Sequence, residues 1–390
     1  MPRVALVGAA GHGAKHLRRI AAAAEAGQLR LVGVCDIRPV PAPQPFFTDH
    51  RALFAATAPD VVVVATPPHT HLAIALDAVA TGADLMLEKP PVLDLAEHDR
   101  LTAALRGAGR CCQIGFQALG SAALAQLLAA VEGGRLGMVT RIAAAAAWWR
   151  PDSYYTRAPW AGRRSLHGRP VLDGALANPF AHALMDCLVI AAAATRHARR
   201  APGGSAQAGG RPDSALVERY AVRDIEVDDT ANLRLRLPDG PSVRVAVSLA
   251  STTRIAGEIT VYGTEASAVL EYPTDVLRLP ADTPARVVPG RTDPLANLLA
   301  HRADPAVPLL APLAAARPFT AVIQAVVAGP APHRVASAHL AAQSDGPAIP
   351  GVAELVRAAA ATDASFAKLG AAWAVPPLSL EVAGAQADPA

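Results

Sequence analysis

Aromatic residues make up only 4% of the chain and charged residues 18%, while 52% is hydrophobic. Alanine, valine and leucine must therefore fill most of the core, and so low a charge content excludes a disordered chain. Cysteine is almost missing. Cys35, Cys111, Cys112 and Cys187 make no CxxC pair, no histidine-spaced zinc pattern and no disulfide framework. Reduced thiols, a cytoplasmic location and no bound metal are the resulting expectations. No apolar run approaches the ~18 residues of a membrane helix; Ile142–Trp149 and Cys187–Ala194 both fall short. Met1–Ala10 leads straight into a strand without the basic head of a signal peptide. Charge of one sign is lacking too: 36 basic against 33 acidic side chains leave +3, too diffuse for a nucleic-acid reader. Lysine is scarce, and arginine is spread over the whole length.

What is present is a chain of 390 residues, long enough at about 150 residues per domain for two or three domains. Its first third alternates short β-rich runs with helical ones. Val4–Val7, Leu31–Val34, Asp60–Ala65, Leu85–Leu87 and Cys112–Gly115 read as strands, with helices over His16–Ala24, Arg51–Ala56 and His71–Ala80. That alternation predicts an α/β fold with a parallel, doubly wound sheet and right-handed crossovers.

The turn after the first strand, Gly8-Ala-Ala-Gly-His-Gly13, carries most of the functional signal. A dinucleotide site needs a tight turn, close backbone approach to the pyrophosphate and a helix N-terminus aimed at the phosphates. Gly8 and Gly13 take the first and third glycine positions of that fingerprint, Ala10 the middle one, with Gly11 and His12 beside it. Asp36 ends the second strand, where a carboxylate accepts from the ribose hydroxyls and favours NAD. Arg38 close by keeps NADP open. Thr66-Pro-Pro-His-Thr-His71 and Glu88-Lys89-Pro90 close the third and fourth strands, on the sheet edge where ligands bind. There Lys89 could polarise a hydroxyl or carbonyl; read structurally, Glu88 and Lys89 are a solvated ion pair.

The run Val63-Val-Ala-Thr-Pro-Pro-His-Thr-His71, with Ala75, Ala78, Gly82 and Glu88-Lys89-Pro90, resembles the Gfo/Idh/MocA oxidoreductases. The resemblance extends to Gly115-Phe-Gln117, Tyr154-Tyr155, Ala158-Pro159-Trp160, Val227–Thr230 and Ile259–Ala266. It implies a Rossmann domain over residues 1–120 and an α+β domain with an open, mostly antiparallel sheet over 121–370, followed by a tail at 371–390. The sheet often forms the oligomer interface in that family, so a dimer or tetramer is expected. Segments 199–214 and 283–318 read as irregular insertions, the second ordered against a neighbouring subunit.

The same resemblance places Gly8, Ala10, Gly11, His12, Gly13, Asp36, Arg38, Thr66, Pro67, Pro68, His71, Glu88, Lys89 and Gln117 around the cofactor, with Lys89–Pro90 cis. It implies a proton-handling pair in Lys89 and His182. Asn178 and His182 fit the family's acid-or-amide and histidine spacing on one helix face, with Asp186 a turn further. Two departures stand out: Gly168-Arg169-Pro170 replaces a run of glycines, and Asp173 offers a competing register in which Ala177 takes the histidine position. Tyr154, Tyr155, Trp160 and Arg163, joined by Trp148, Trp149 and Arg150, concentrate aromatics and arginine in an aromatic-poor chain. As a set they suit a sugar, cyclitol or glycoside; singly, domain packing explains them. The implied activity is an NAD(P)-dependent dehydrogenase or reductase on such an alcohol or ketone, with no nucleic acid or membrane partner. The alternatives are a nucleotide-sensing regulator on this scaffold and redox-neutral glycoside chemistry with tightly bound NAD.

Overall fold

The computed structural model describes residues 1–41, 45–166, 168–201, 211–238, 240–282 and 284–384. The chain divides into two compact units, Met1–Gln117 with Thr292–Thr320, and Ala118–Arg291 with Ala321–Ala390. Among the described residues no helix is long and apolar enough to cross a membrane.

In the first unit the order is β1 (Arg3–Val7), α1 (Gly13–Glu25), β2 (Arg30–Cys35), β3 (Phe46–Phe47), α2 (His50–Thr57), β4 (Val61–Val64), α3 (His71–Ala80), β5 (Asp84–Leu87), α4 (Leu95–Ala108) and β6 (Cys112–Ile114). All strand pairs are parallel, in the order β3-β2-β1-β4-β5-β6. This is the doubly wound dinucleotide-binding order, whose ligand edge lies at the carboxyl ends of the strands. The four valines of β4 are fully buried, because a central parallel strand is covered on both faces and so reads as a continuous apolar run. Strand β3 escapes the sequence pattern because two phenylalanines are too short for a period.

The second unit holds α5 (Ala122–Glu132), β7 (Val139–Trp149), α6 (Asp152–Tyr155), β8 (Ser165–Leu166), β9 (Arg169–Pro170), α7 (Ala181–Arg200), β10 (Ser214–Ala221), β11 (Thr230–Arg236), β12 (Ser242–Ser248), β13 (Ala250–Gly263), β14 (Ser267–Glu271), β15 (Val276–Arg278) and β16 (Arg286–Val287). Then α8 (Pro294–Ala303) returns to the first unit, and α9 (Arg317–Ala328) leads back out of it. The chain closes with β17 (His333–Arg334), β18 (Ala341–Gln343), β19 (Gly346–Ala348), α10 (Val352–Thr362) and β20 (Leu378–Glu381). Ten strands form one mixed sheet, β16-β15-β14-β13-β7-β12-β11-β10-β17, with β20 also on β10. It is mostly antiparallel; β7–β12 and β10–β17 are the parallel pairs.

Three expectations change here. The 283–318 segment is not simply irregular: Asp293 caps α8 through Leu295 and Ala296 N–H groups, and Leu298 joins the core beneath β1 and β4. Its return is stitched to β6, because Gln113 donates to Asn297 at 3.0 Å while Ile114 N–H reaches Ala311 O at 2.8 Å. Thr283 itself, residues 202–210 of the 199–214 insertion and the last six residues of the tail lie outside the described residues. The earlier part of the tail is built into the sheet, with Leu378–Glu381 antiparallel to Ser214–Val217. The resemblance makes Val227–Thr230 a strand of the second sheet, but only Thr230 belongs to β11 and Val227–Asp229 precedes it.

The sheet is open at its edges, yet both faces are packed. Ala143, Ala145, Ala147 and Ala246 face a cluster with Val352, Val356, Ala359 and Phe366 of the C-terminal segment. Side chains alternate across a strand, so Ile142, Ala144 and Ala146, also buried, turn to the other face, where α7 lies against β7 and β12. Both faces of β7 are thus covered by residues of the same chain. Polar anchors hold the cover down. Asp363 takes Arg244 Nε at 2.7 Å and Arg234 Nε at 2.9 Å, while Glu218 accepts Phe366 N–H at 2.7 Å and Ala367 N–H at 2.9 Å. Since Arg244 is almost wholly buried, weakening its charged partner is costly. Asp363→Asn, which keeps the left-handed backbone tolerable, is expected to lose about 1–3 kcal/mol in urea unfolding.

Candidate functional site

The glycine turn is held by contact distances that admit no side chain. A Cβ on Gly13 would fall 1.9 Å from Gly8 O, and one on Gly8, whose φ is +86°, would fall 2.8 Å from the Ala65 and Thr66 backbone. These are the tight-turn and helix–strand approach roles that a dinucleotide fingerprint demands. Asp36 reaches back across the turn, its Oδ2 accepting Ala9 N–H at 2.8 Å and Ala10 N–H at 3.0 Å. Its Oδ1 accepts the Arg38 N–H at 3.2 Å. The donor set fits a nicotinamide dinucleotide: glycines where backbone must crowd, a helix N-terminus behind them, and a carboxylate at the end of β2 for the ribose.

Around the ends of β4, β5 and β6, one carboxylate organises the loops. Glu88 Oε1 lies 2.7 Å from His16 Nε2 and 3.4 Å from His12 Nε2. Glu88 Oε2 accepts the Lys89 N–H at 3.1 Å. Burial alone would raise the Glu88 pKa, but hydrogen bonds and charge from His12 and His16 overturn that and hold it below the usual carboxylate range. Gly115 leaves the room: a Cβ there would come 2.7 Å from Glu88 Oε1. Lys89 is half-buried and its bond to Pro90 is cis. It is one of three lysines in the chain, with Lys15 and Lys368. Gln117 joins His16, Arg19, Glu88 and Asp293 around a cavity of about 10 Å³, room for roughly one water.

His71, expected at the cofactor, lies between the loops that end β4 and β5. It is fully buried, with Nε2 2.8 Å from Thr66 O and Nδ1 3.0 Å from Pro90 O. It brackets the two strand-end loops. Burial pulls its pKa below the ordinary histidine value, against hydrogen bonds to the Thr66, Pro91 and Pro90 carbonyls. Thr66, Pro67 and Pro68 remain half-buried along the loop, and Thr66 accepts the Thr70 hydroxyl at 2.6 Å. His16 was not anticipated; the signal was its spacing of one helical turn after His12.

In the second unit α7 begins only at Ala181, so Asn178 lies in the preceding turn and does not share a helix face with His182. Asp173 explains that turn. Its buried carboxylate accepts Arg157 Nη2 at 2.7 Å, Gly162 N–H at 2.8 Å and Asn178 Nδ2 at 2.8 Å. Asp173, the residue of the competing register, is thus the anchor that holds the Asn178 amide. Asn178 and His182 are both half-buried among buried neighbours. The aromatic concentration becomes stacking, with the Arg157 guanidinium 3.7 Å from the Tyr154 ring centroid and 4.6 Å from that of Trp160.

Tyr155 and Arg163 instead line a cavity of about 650 Å³ with Asp152, Arg223, Asp224 and Glu226. Two buried donors there, Tyr155 Oη and Arg223 Nη1, have no hydrogen-bond partner among the described residues. Burial raises the Tyr155 pKa, so the phenol stays a neutral donor. The sequence carried no sign of Arg223, which arrives from the loop after β10.

The GFO_IDH_MocA family, described as "Oxidoreductase family, NAD-binding Rossmann fold", matches residues 2–116, and the GFO/IDH/MocA C-terminal domain matches residues 124–269. The chain belongs to the Gfo/Idh/MocA oxidoreductase family. Among curated proteins nothing matches this Gfo/Idh/MocA chain. Among solved structures it is similar to the WlbA dehydrogenase of Bordetella pertussis in complex with NADH and UDP-GlcNAcA, with a TM-score of 0.65, 22% identity, and coverage of 83% of this chain and 94% of that one. It is also similar to GenD2 from gentamicin A biosynthesis in complex with NAD, with a TM-score of 0.63, 19% identity, and coverage of 83% and 92%. A third similar structure is the UDP-N-acetylglucosamine 3-dehydrogenase GnnA of Acidithiobacillus ferrooxidans, with a TM-score of 0.62, 18% identity, and coverage of 83% and 95%. The first unit of this oxidoreductase is thus an NAD-binding domain.

Two outcomes follow from the geometry. Gly13→Ala forces backbone against backbone, and is expected to weaken NAD binding at least about tenfold while lowering stability by about 2 kcal/mol or more; titration with NAD and thermal unfolding check both. Asp186, a turn beyond His182, is fully buried, and neither carboxylate oxygen has a hydrogen-bond partner among the described residues. Burial raises its pKa well above the ordinary value, with Arg291 opposing and Asp275 adding. An acid whose folded pKa is raised carries no penalty below its unfolded value of about 3.9, and costs about 1.4 kcal/mol per pH unit above it until the folded value is reached. Asp186→Asn should therefore gain stability relative to the native chain as pH rises from acid to neutral, read by urea unfolding at several pH values.

Proposed function

We propose that this chain is an NAD-dependent dehydrogenase or reductase acting on a hydroxyl or ketone carbon of a sugar, cyclitol or glycoside. Lys89 and His182 handle the proton in this reading, and Asn178 orients the substrate. The observation that carries it is Lys89, half-buried at the ligand edge of an NAD-binding domain, its backbone located by the buried Glu88. NAD, when bound, supplies the hydride acceptor. The chain's own residues supply the rest. His182 carries the imidazole, the side chain that most often serves as a general acid or base. Asp173 restrains the Asn178 amide, so that its direction is set before substrate arrives.

The sugar class is supported by the second unit. The 650 Å³ cavity mixes donors (Tyr155, Arg163, Arg223) with acceptors (Asp152, Asp224, Glu226). Such a lining matches hydroxyls, each of which both donates and accepts, and with three carboxylates against two guanidiniums it disfavours a diphosphate. Tyr154 and Trp160, already stacked on Arg157, complete the proposed substrate contacts. That WlbA was crystallised with UDP-GlcNAcA, and that GnnA is named for a sugar-nucleotide dehydrogenase, supports a carbohydrate here. Asp36 at the ribose position favours NAD over NADP.

The test is titration with NAD and NADP, then a panel of sugars, cyclitols and nucleotide sugars followed by reduced-nicotinamide absorbance. Lys89→Ala and His182→Ala are each expected to lower kcat about 10²–10⁴-fold while the Kd for NAD changes far less. NAD binding without turnover across the panel would favour the regulator instead, and full turnover by Lys89→Ala would remove that residue from the chemistry.

A further inference from the structure

We propose that His12, His16 and Glu88 form a binding site for a divalent transition-metal cation of the zinc type, at the mouth of the dinucleotide turn. The three ligand atoms lie within 4.8 Å of one another. Both imidazoles present Nε2 to the same oxygen, Glu88 Oε1, at 2.7 and 3.4 Å. A single carboxylate hydrogen bond needs only His16, so the convergence of His12 is surplus to anchoring the loop. Two imidazole nitrogens and one carboxylate oxygen are a donor set of borderline softness, suited to Zn²⁺, Co²⁺ or Ni²⁺ and not to Mg²⁺ or Ca²⁺.

Much of the coordination shell is already in place. Glu88 is buried, backed by the Lys89 N–H and confined by Gly115. His16 is buried in the first turn of α1, while the His12 side chain is 49% exposed and edge-on to His16. The exposed imidazole gives the cation a path from solvent and leaves the remaining coordination positions to water. Donors around tetrahedral zinc stand roughly 3.2–3.5 Å apart. The His12 contact already has that spacing, and the His16 contact must open by about half an ångström as a metal enters between the two atoms. The positive end of the α1 dipole opposes a cation; the carboxylate offsets it.

His12 belongs to the same Gly8–Gly13 turn that receives the dinucleotide, so metal and NAD exclude one another: zinc at this site inhibits by competing for the turn. Magnesium does not reproduce the effect. Spacing of one helical turn marks His12 and His16 in the sequence, but not the third ligand, which comes from 72 residues further along the chain.

The experiment is isothermal titration of the metal-free protein with ZnCl₂, and with CoCl₂ for its visible ligand-field absorption. It needs no substrate, so its outcome is separate from that of the turnover assays. One equivalent is expected to bind with a Kd below about 100 µM. His12→Ala and Glu88→Gln should each weaken binding about tenfold or more, and saturating NAD should raise the apparent Kd several-fold. His12 is at the surface, so its variant should fold even where Glu88→Gln does not, as circular dichroism will show. Cys111, half-buried with its thiol pKa raised by burial, is the rival ligand, and His12→Ala separates the two. Absence of binding at about 100 µM zinc, unchanged affinity in His12→Ala, or zinc affinity indifferent to NAD would each overturn the proposal.

Discussion

The buried carboxylate of Glu88 is the constraint on which the first unit's chemistry depends. It closes β5, receives His16 from the helix that follows the glycine turn, takes the backbone N–H of Lys89, and forces a glycine at the end of β6. Three separate strand ends are thereby located by one charge. In a low-dielectric setting such a charge is tolerated only when hydrogen-bonded on each side. Losing a partner would therefore disturb the turn, the lysine and the β6 loop together.

The second unit solves a different problem, that of a large sheet in a chain with few aromatics. Alanines in β7 let α7 pack on one face and the α10 segment on the other, and Arg234, Arg244, Asn232 and Glu218 pin the latter through Asp363 and neighbouring backbone groups. Charged anchors on a sheet face carry a desolvation cost that apolar packing does not. They also specify where the covering segment sits, since each buried group needs its particular partner.

The Rossmann half was legible because its signals are local. Val4–Val7 and Val61–Val64 announce buried parallel strands by composition alone, and the glycine turn and Glu88-Lys89-Pro90 fall within a few residues of strand ends. The substrate half was legible only in outline. Tyr154, Trp160 and Asn178 drew attention by type, but their arrangement rests on Asp173 and Arg157, whose roles appear only when the loop folds over them. Arg223 was missed for the same reason, His16 because its partner Glu88 lies 72 residues away despite the one-turn spacing from His12, and the segment after Thr283 read as irregular because its helix packs on strands nearly two hundred residues earlier.

By itself the sequence determined the parallel sheet, the dinucleotide turn and the lysine at its ligand edge, because each follows from backbone sterics and periodicity among residues close in the chain. Tertiary structure alone decided that His71 braces loops, that Asp173 is spent on Asn178, and that two histidines and a glutamate meet at one oxygen. Those outcomes turn on which buried polar groups find partners, and a partner distant in sequence leaves no periodic mark.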